Sequence, residues 1–303
     1  MHKRYIMKLN YKYRRILMVA AAVLILALLI GGITLAASAV GKKNNERKQA
    51  SDIALDVADC IAEKSVDAVE DISFELFKIK NKRDVPDSIL RFAYENDLST
   101  DLWPKSMIEL LERNPETEEF VLNYPLLKDK KFEIDLSDSG YETKVPLFLQ
   151  WDQRWGYEPY GDNNIAIAGC GPTCLSMVYV YLTGDTSMNP KAMAEFSTDY
   201  GYCVPGNGSD WALIHEGGEI LGLNVEEIYL DEYAIASELE EGNPVICIMD
   251  KGIFTTGGHF IVMTDYVDGQ FKVNDPNSII RSEQLWSYDE IQDQILGIWA
   301  CSI

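Results

Sequence analysis

The apolar and polar positions along the chain fall into three regimes. From Ile16 to Val40 twenty-five residues pass without a charge, ILMVAAAVLILALLIGGITLAASAV, about the length a helix needs to cross a bilayer. Between residues 46 and 80 the run ALDVADCIAEKSVDAVEDISFELFKI repeats its apolar positions at helical intervals, which predicts one helix or two. Asp84-Val85-Pro86-Asp87-Ser88 punctuates the chain, and SILRFAYEN and SMIELLERN then predict short helices with Ser or Asp at their N-caps. Pro86 and Pro104 break any sustained heptad. Residues 41–140 are therefore expected to form a helical stalk or accessory region.

From Lys144 onward Gly, Trp and Tyr become frequent and strand-like runs appear at VPLFLQW, NPVICIMD, HFIVMTDY and QFKVND. Helices are expected at 171–183, 190–197, 209–221 and 232–241, all before the last three of those strands. Helices first and antiparallel strands afterwards make an α+β domain, expected over residues 141–303, and not the alternating order of a parallel α/β sheet.

Composition adds that the body is globular, with 47% hydrophobic residues in 303. Charge adds an orientation. Lys3, Arg4, Lys8, Lys12, Arg14 and Arg15 precede the apolar run, and no acid occurs before Glu46. A cytoplasmic basic tail at 1–15, a membrane-spanning anchor at 16–40 and an extracytoplasmic body follow. Lys42, Lys43, Arg47 and Lys48 on the far side make the bias incomplete. A signal peptide cut near Ala37-Ser38-Ala39 is the competing reading, although the run exceeds the usual signal core of about 7 to 15 residues. Beyond residue 15 there remain 21 basic against 48 acidic residues, net −27. So acidic a body is repelled by nucleic acid and by anionic lipid surfaces.

The candidate chemistry centres on AIAGCGPTCLSMVYVYL, residues 166–182. Pro172 suits the first turn of a helix, and Leu175, Val178 and Leu182 recur at helical intervals. Cys170 then lies at the helix N-terminus, where free N–H groups and the helix dipole stabilise a thiolate against an ordinary pKa of about 8.5. Its own N–H is a candidate oxyanion donor, and Gly169 and Gly171 are expected to leave room for a substrate backbone. Cys174 is the rival, but one turn further on it has lost most of the end effect. The two cannot easily bridge, because i, i+4 β-carbons are about 5 to 6 Å apart and a disulfide wants about 3.8 Å. No second close-spaced Cys/His pair completes a zinc site. Cys247 and Cys301 lie in apolar runs and are expected to be buried.

A thiol nucleophile needs a base, and the histidines are His2, His215 and His259. His2 precedes the membrane run, and His215 falls in a helix as an ordinary surface or half-buried residue. His259 opens HFIVMTDY directly after Thr255-Thr256-Gly257-Gly258, so a strand places its backbone while small neighbours leave the ring accessible. Asp275 is the candidate to orient that ring. If Val267-Asp268-Gly269 is a three-residue hairpin loop, Tyr266 pairs with Gln270 and Asp275 lies opposite Ile261, on the face of His259 and one diagonal step away. A two-residue turn would put it on the other face. Asn274 and Asn277 are alternatives.

Together VPLFLQWDQRWGY, GCGPTCLSMV, GHFIVMTDY and VNDPNS resemble, in order and spacing, the C-39-like cysteine peptidases, relatives of the bacteriocin-processing peptidases. ELLERNPETEEFVLNYP upstream is similar to the lead-in of exported Gram-positive members. The resemblance implies a papain-like fold, a Cys170, His259, Asp275 triad, and a glutamine ahead of the nucleophile that completes the oxyanion hole. Gln150 matches it, with Gln153 and Asn164 as alternatives, since the gap to Cys170 is longer than in leader-cleaving members. Those members are fused to a transporter and act in the cytoplasm, so leader cleavage is not expected here.

The expectation is thus an extracytoplasmic amide hydrolase acting on a peptide of a secreted protein or of the cell wall, with no metal or organic cofactor. An acyl transferase differs in needing an amine for product formation. A tethered binding module would keep its partner in Cys170→Ala.

Overall fold

The computed structural model describes residues 71, 73–78 and 85–303. The apolar run 16–40 and most of the segment 46–80 lie outside them. Among the described residues no helix is long and apolar enough to cross a membrane.

The chain divides into two compact units, residues 1–100 and 101–303. In the first, residues 73–78 are helical and α1 spans Asp87–Asn96; Phe74, Leu90 and Tyr94 form a small core. In the second, α2 (Lys105–Arg113) and α3 (Glu118–Leu127) come first. The helices α1 and α2 begin one residue before the expected Ser88 and Ser106. Their N-caps are Pro86 and Pro104, with no side-chain cap. Proline fixes φ at each entry but accepts nothing, so no cap side chain satisfies the first-turn N–H groups of these two helices.

The helical part of the second unit continues with α4 (Ile165–Ala168), α5 (Cys170–Thr183) and α6 (Pro190–Asp199). Two short ribbons accompany them, β1 (Pro159–Tyr160) with β2 (Asn163–Asn164), and β3 (Cys203–Val204) with β4 (Gly208–Ser209). The segment expected as a helix at 209–221 is helical from 212 to 220, with a π-helical stretch in its middle. After β4 come a π-helical turn at Leu213–Gly217 and a single turn α7 (Gly218–Ile220). At Gly218 a Cβ would stand 2.7 Å from Val225 Cγ2, so this turn is pressed against the next strand. The helix α8 (Glu232–Glu240) starts on Asp231, whose carboxylate accepts from the Tyr233 and Ala234 N–H groups.

The strands β5 (Asn224–Glu227), β6 (Val245–Met249), β7 (His259–Val267), β8 (Gln270–Asn274), β9 (Leu285–Trp286) and β10 (Ile295–Ser302) build a six-stranded antiparallel sheet in the order β5-β10-β6-β7-β8-β9. Short helices α9 (Ile279–Ser282) and α10 (Tyr288–Ile291) flank β9. Alternate residues of the sheet feed two cores. Ile246, Ile248, Phe260 and Val262 join Leu175, Met177 and Val178 of α5. Cys247, Met249, Ile261 and Met263 join Ile235 and Leu239 of α8. Each such fully buried side chain is worth roughly 1.5–3 kcal/mol, so α5 is held firmly against the sheet centre. This is the mixed, helix-then-antiparallel arrangement expected of residues 141–303, and residues 101–140 belong to the same compact unit.

The run VPLFLQW is not a strand. Pro146 has no N–H to offer a ladder. The carbonyls of Val145 and Pro146 instead accept from the Asn274 side chain at 3.1 and 3.0 Å, and the Gln150 N–H donates to the Pro276 carbonyl at 2.7 Å.

Candidate active site

Cys170 is the first residue of α5, after Gly169 as N-cap. Gly169 and Gly171 do not leave room for substrate as expected, because protein occupies both places. A Cβ on Gly169 would lie 2.7 Å from the Ile165 carbonyl oxygen, and one on Gly171 would lie 2.6 Å from Ser209 Oγ. The glycines let α4 and β4 pack around the nucleophile's turn, and open space lies instead at Gly257, where a Cβ would meet nothing within 4 Å.

His259 is the first residue of β7, so it stands at the end of the sheet, and its side chain is 8% exposed. The ring is enclosed, not open as expected. On one edge its Nε2 lies 2.7 Å from Asp275 Oδ1. The Cys170 thiol is near enough for each group to shift the other's titration, and with Nε2 engaged Nδ1 is the ring nitrogen left for it.

Asp275 reaches His259 by a route that differs from the expected hairpin. The turn is the two-residue kind, Asp268-Gly269 between paired Val267 and Gln270, with both φ angles positive at 51° and 79°. A regular ladder from that turn would carry Asp275 to the wrong face. A bulge at Thr264, between the pairs Met263–Val273 and Asp265–Lys272, restores the register. Val262 then opposes Asn274, the last pair of the ladder, and Asp275 follows directly beyond it, in reach of His259. The alternatives Asn274 and Asn277 are occupied elsewhere: Asn274 holds Val145 and Pro146, and Asn277 Oδ1 accepts from Asn114 Nδ2 at 3.3 Å while its backbone N–H donates to Asp275 Oδ1 at 2.8 Å.

Asp275 is fully buried and has a further cationic partner that sequence reading missed, Arg281, whose Nε donates to Oδ2 at 2.6 Å. Arg281 lies on α9, six residues on. No spacing rule singles it out, because only the turn after β8 folds it back.

The electrostatics favour a charged trio. Burial pushes the Cys170 thiol up, but the imidazole of His259 and the N–H groups of Phe260 and Gly171 outweigh it and hold the thiol below its ordinary value. Burial pulls His259 down, yet the Asp275 carboxylate, with Cys170 behind it, raises it to about 10. Burial raises Asp275, and His259 and Arg281 more than compensate, holding its carboxyl below the ordinary range. Cys174 behaves oppositely. It is fully buried, and burial followed by the neighbouring Cys170 pushes its thiol well up, leaving it an inert core residue. Cys247 and Cys301 are buried as well. His215 is half exposed, 3.8 Å from Glu219.

Gln150 is 4% exposed and donates from Nε2 to the Ala166 carbonyl at 2.7 Å, four residues before Cys170. The amide nitrogen carries two protons, of which one is used here among the described residues, and Oε1 is buried without a partner among them. Of the two alternatives, Asn164 ends β2 with its Oδ1 buried and unpartnered, and Gln153 is half-buried in the following turn.

A helix-plus-antiparallel-sheet domain with a cysteine at a helix start, facing a histidine backed by a buried aspartate, is the arrangement of a cysteine peptidase. The Peptidase_C39 like family model matches residues 142–301, just over half of the chain, and the chain belongs to that family. Two solved structures are similar to it. The peptidase domain of Streptococcus ComA, described as a bi-functional ABC transporter of a quorum-sensing pathway, is 21% identical over 45% of this chain and 91% of its own, with a TM-score of 0.35. A C39-like peptidase from Bacillus anthracis is 13% identical over 52% of this chain and 94% of its own, also with a TM-score of 0.35. No curated protein matches.

Proposed function

We propose that this chain is a membrane-anchored cysteine peptidase or amide hydrolase acting outside the cytoplasm, with Cys170, His259 and Asp275 as its triad. The observation that carries the reading is the buried 2.7 Å His259–Asp275 contact, with Cys170 at the start of α5 lowered in pKa by the same imidazole. The thiolate attacks an amide carbonyl carbon, forming the S–C bond and moving the π pair onto oxygen. The Cys170 N–H and the second Nε2 proton of Gln150 are the donors for that oxyanion. Collapse breaks the C–N bond, the amine leaves with the proton from His259 Nδ1, and a thioester remains. Water then gives its proton to His259 as it attacks, and the second collapse releases the acid and restores the thiolate. Asp275 keeps the imidazolium oriented throughout.

The uncharged run 16–40 behind a basic tail supports the anchored, outward-facing reading. A peptide of an exported protein or of the cell wall is the substrate class that fits this location. External protease applied to intact cells should then remove residues beyond 41 while the tail stays protected; a body protected until lysis would overturn the location.

The catalytic reading is tested by treating the full chain in detergent with a peptide-like thiol electrophile and mapping adducts by mass spectrometry. Labelling should concentrate on Cys170, and at pH 6 His259→Ala should slow it by about a hundredfold, the loss expected when a paired thiolate reverts to an ordinary thiol. Slow, uniform labelling of several cysteines, indifferent to His259, would sink the assignment.

A further inference from the structure

The turn that carries Asp275 has almost no support from the sheet. The β8 ladder ends at Asn274, and beyond it only an isolated bridge joins Asp275 to Ser278. What fixes the turn comes from two other directions. On one side Gln150 N–H donates to the Pro276 carbonyl and Trp151 Nε1 donates to the Asn277 carbonyl at 3.1 Å. On the other side lies the short stretch Asn114-Pro115-Glu116, upstream of the family-matched residues 142–301. The buried Asn114 donates from Nδ2 to the same Asn277 carbonyl and to Asn277 Oδ1 at 3.3 Å. Glu116 accepts the Ser278 hydroxyl on one oxygen, and on the other the N–H groups of Ile279 and Ile280 at 2.8 and 3.2 Å. Asn114 Oδ1 in turn accepts from the Glu116 N–H at 3.1 Å, so the pair acts as one clamp.

We propose that Asn114 and Glu116 are positioning residues that set the Asp275 turn, and through it both the His259 carboxylate partner and the backbone of Gln150. This rests on the catalytic reading above. A carboxylate bonded to the first N–H groups of α9 fixes where that helix begins. Arg281 sits one turn into α9 and holds Asp275 Oδ2, so a shift of the helix start is passed directly to the buried carboxylate. Releasing Glu116 leaves three donors without their acceptor, and water is the replacement partner at this half-exposed position. A water shell has no fixed geometry, and the Asp275–His259 contact loosens as a result.

The experiment measures the pH dependence of Cys170 alkylation by iodoacetamide in the full chain, at a temperature below every variant's melting point. The variants are Glu116→Gln, Glu116→Asp, Asp275→Asn and, as control, Glu118→Gln on the exposed face of α3. A looser Asp275 stabilises the imidazolium less, so the thiolate forms at higher pH. Glu116→Gln should move the alkylation midpoint up by about half a pH unit, roughly threefold in rate on the acid side. Asp275→Asn should move it further in the same direction. Glu116→Asp, which keeps the charge on a shorter arm, should fall between wild type and Glu116→Gln, and Glu118→Gln should match wild type. A purely structural loss lowers the melting point without moving this midpoint. If the Glu116→Gln profile superimposes on wild type while Asp275→Asn is shifted, the clamp is overturned and the catalytic reading stands. Should Glu116→Gln fail to fold, Glu116→Asp decides by the same shift or its absence. If Cys170 in the wild type alkylates no faster than the other thiols, the catalytic reading falls and the clamp with it.

Discussion

His259 Nε2, at the start of β7, stands 2.7 Å from Asp275 Oδ1, one residue past the end of β8. The contact is buried, with the His259 side chain 8% and the Asp275 side chain 0% exposed. A carboxylate so enclosed interacts with the imidazolium far more strongly than it would in water, which is why His259 stays charged against the cost of burial.

That charge predicts the pH profile of hydrolysis. His259 is raised to about 10 by Asp275 and Cys170, and Cys170 is held below its ordinary value. The active ion pair exists between those two limits. kcat/KM should therefore rise on the acid side below the range of a free thiol and fall on the alkaline side near pH 10. The stability that His259 draws from the ionised Asp275 should be complete below the ordinary histidine pKa and lost as pH rises through about 10. In Asp275→Asn the alkaline limb should move to lower pH, because an amide carries no charge to hold the proton.

Gln150→Ala should lower kcat by about a hundredfold with little change in KM, the signature of a donor used only by the oxyanion. Steady-state kinetics on any cleavable peptide amide checks it. An unchanged kcat would remove Gln150 from the chemistry.

Arg281→Met should destabilise the fold by roughly 1–3 kcal/mol, since Asp275 Oδ2 loses its charged donor at 2.6 Å. Urea unfolding measures it. Arg281→Lys should recover only part, because an ammonium cannot reproduce the placement of Nε.

Gly169→Ala should cost roughly 1–3 kcal/mol and slow Cys170 alkylation, since the new methyl would meet the Ile165 carbonyl at 2.7 Å and displace the turn that presents the thiol. Gly257→Ala has open space around it and should leave the melting point within a degree or two. Thermal melts of the two variants give the comparison.

Sequence by itself determines the local features of this domain. Pro172 and the helical recurrence of Leu175, Val178 and Leu182 define α5 and put Cys170 at its start, and a chain with so few histidines leaves His259 as the one a strand presents. The helices expected at 190–197 and 232–241 form as α6 and α8, and the structure shows them capped by Asn189 and Asp231, whose side chains bond N–H groups of their own turn. Tertiary structure decided the rest. The hairpin after β7 closes on two residues, and the register that brings Asp275 to His259 depends on the bulge at Thr264, which no local preference for that residue signals. VPLFLQW has strand composition, yet its carbonyls find the Asn274 side chain instead of a neighbouring strand. Arg281, Asn114 and Glu116 converge on the Asp275 turn from 6 to more than 150 residues away in the chain. Helix starts and strand periods are set by contacts between near neighbours. A buried carboxylate is satisfied by whatever donors the whole fold brings to it, and those are visible only once the chain has closed.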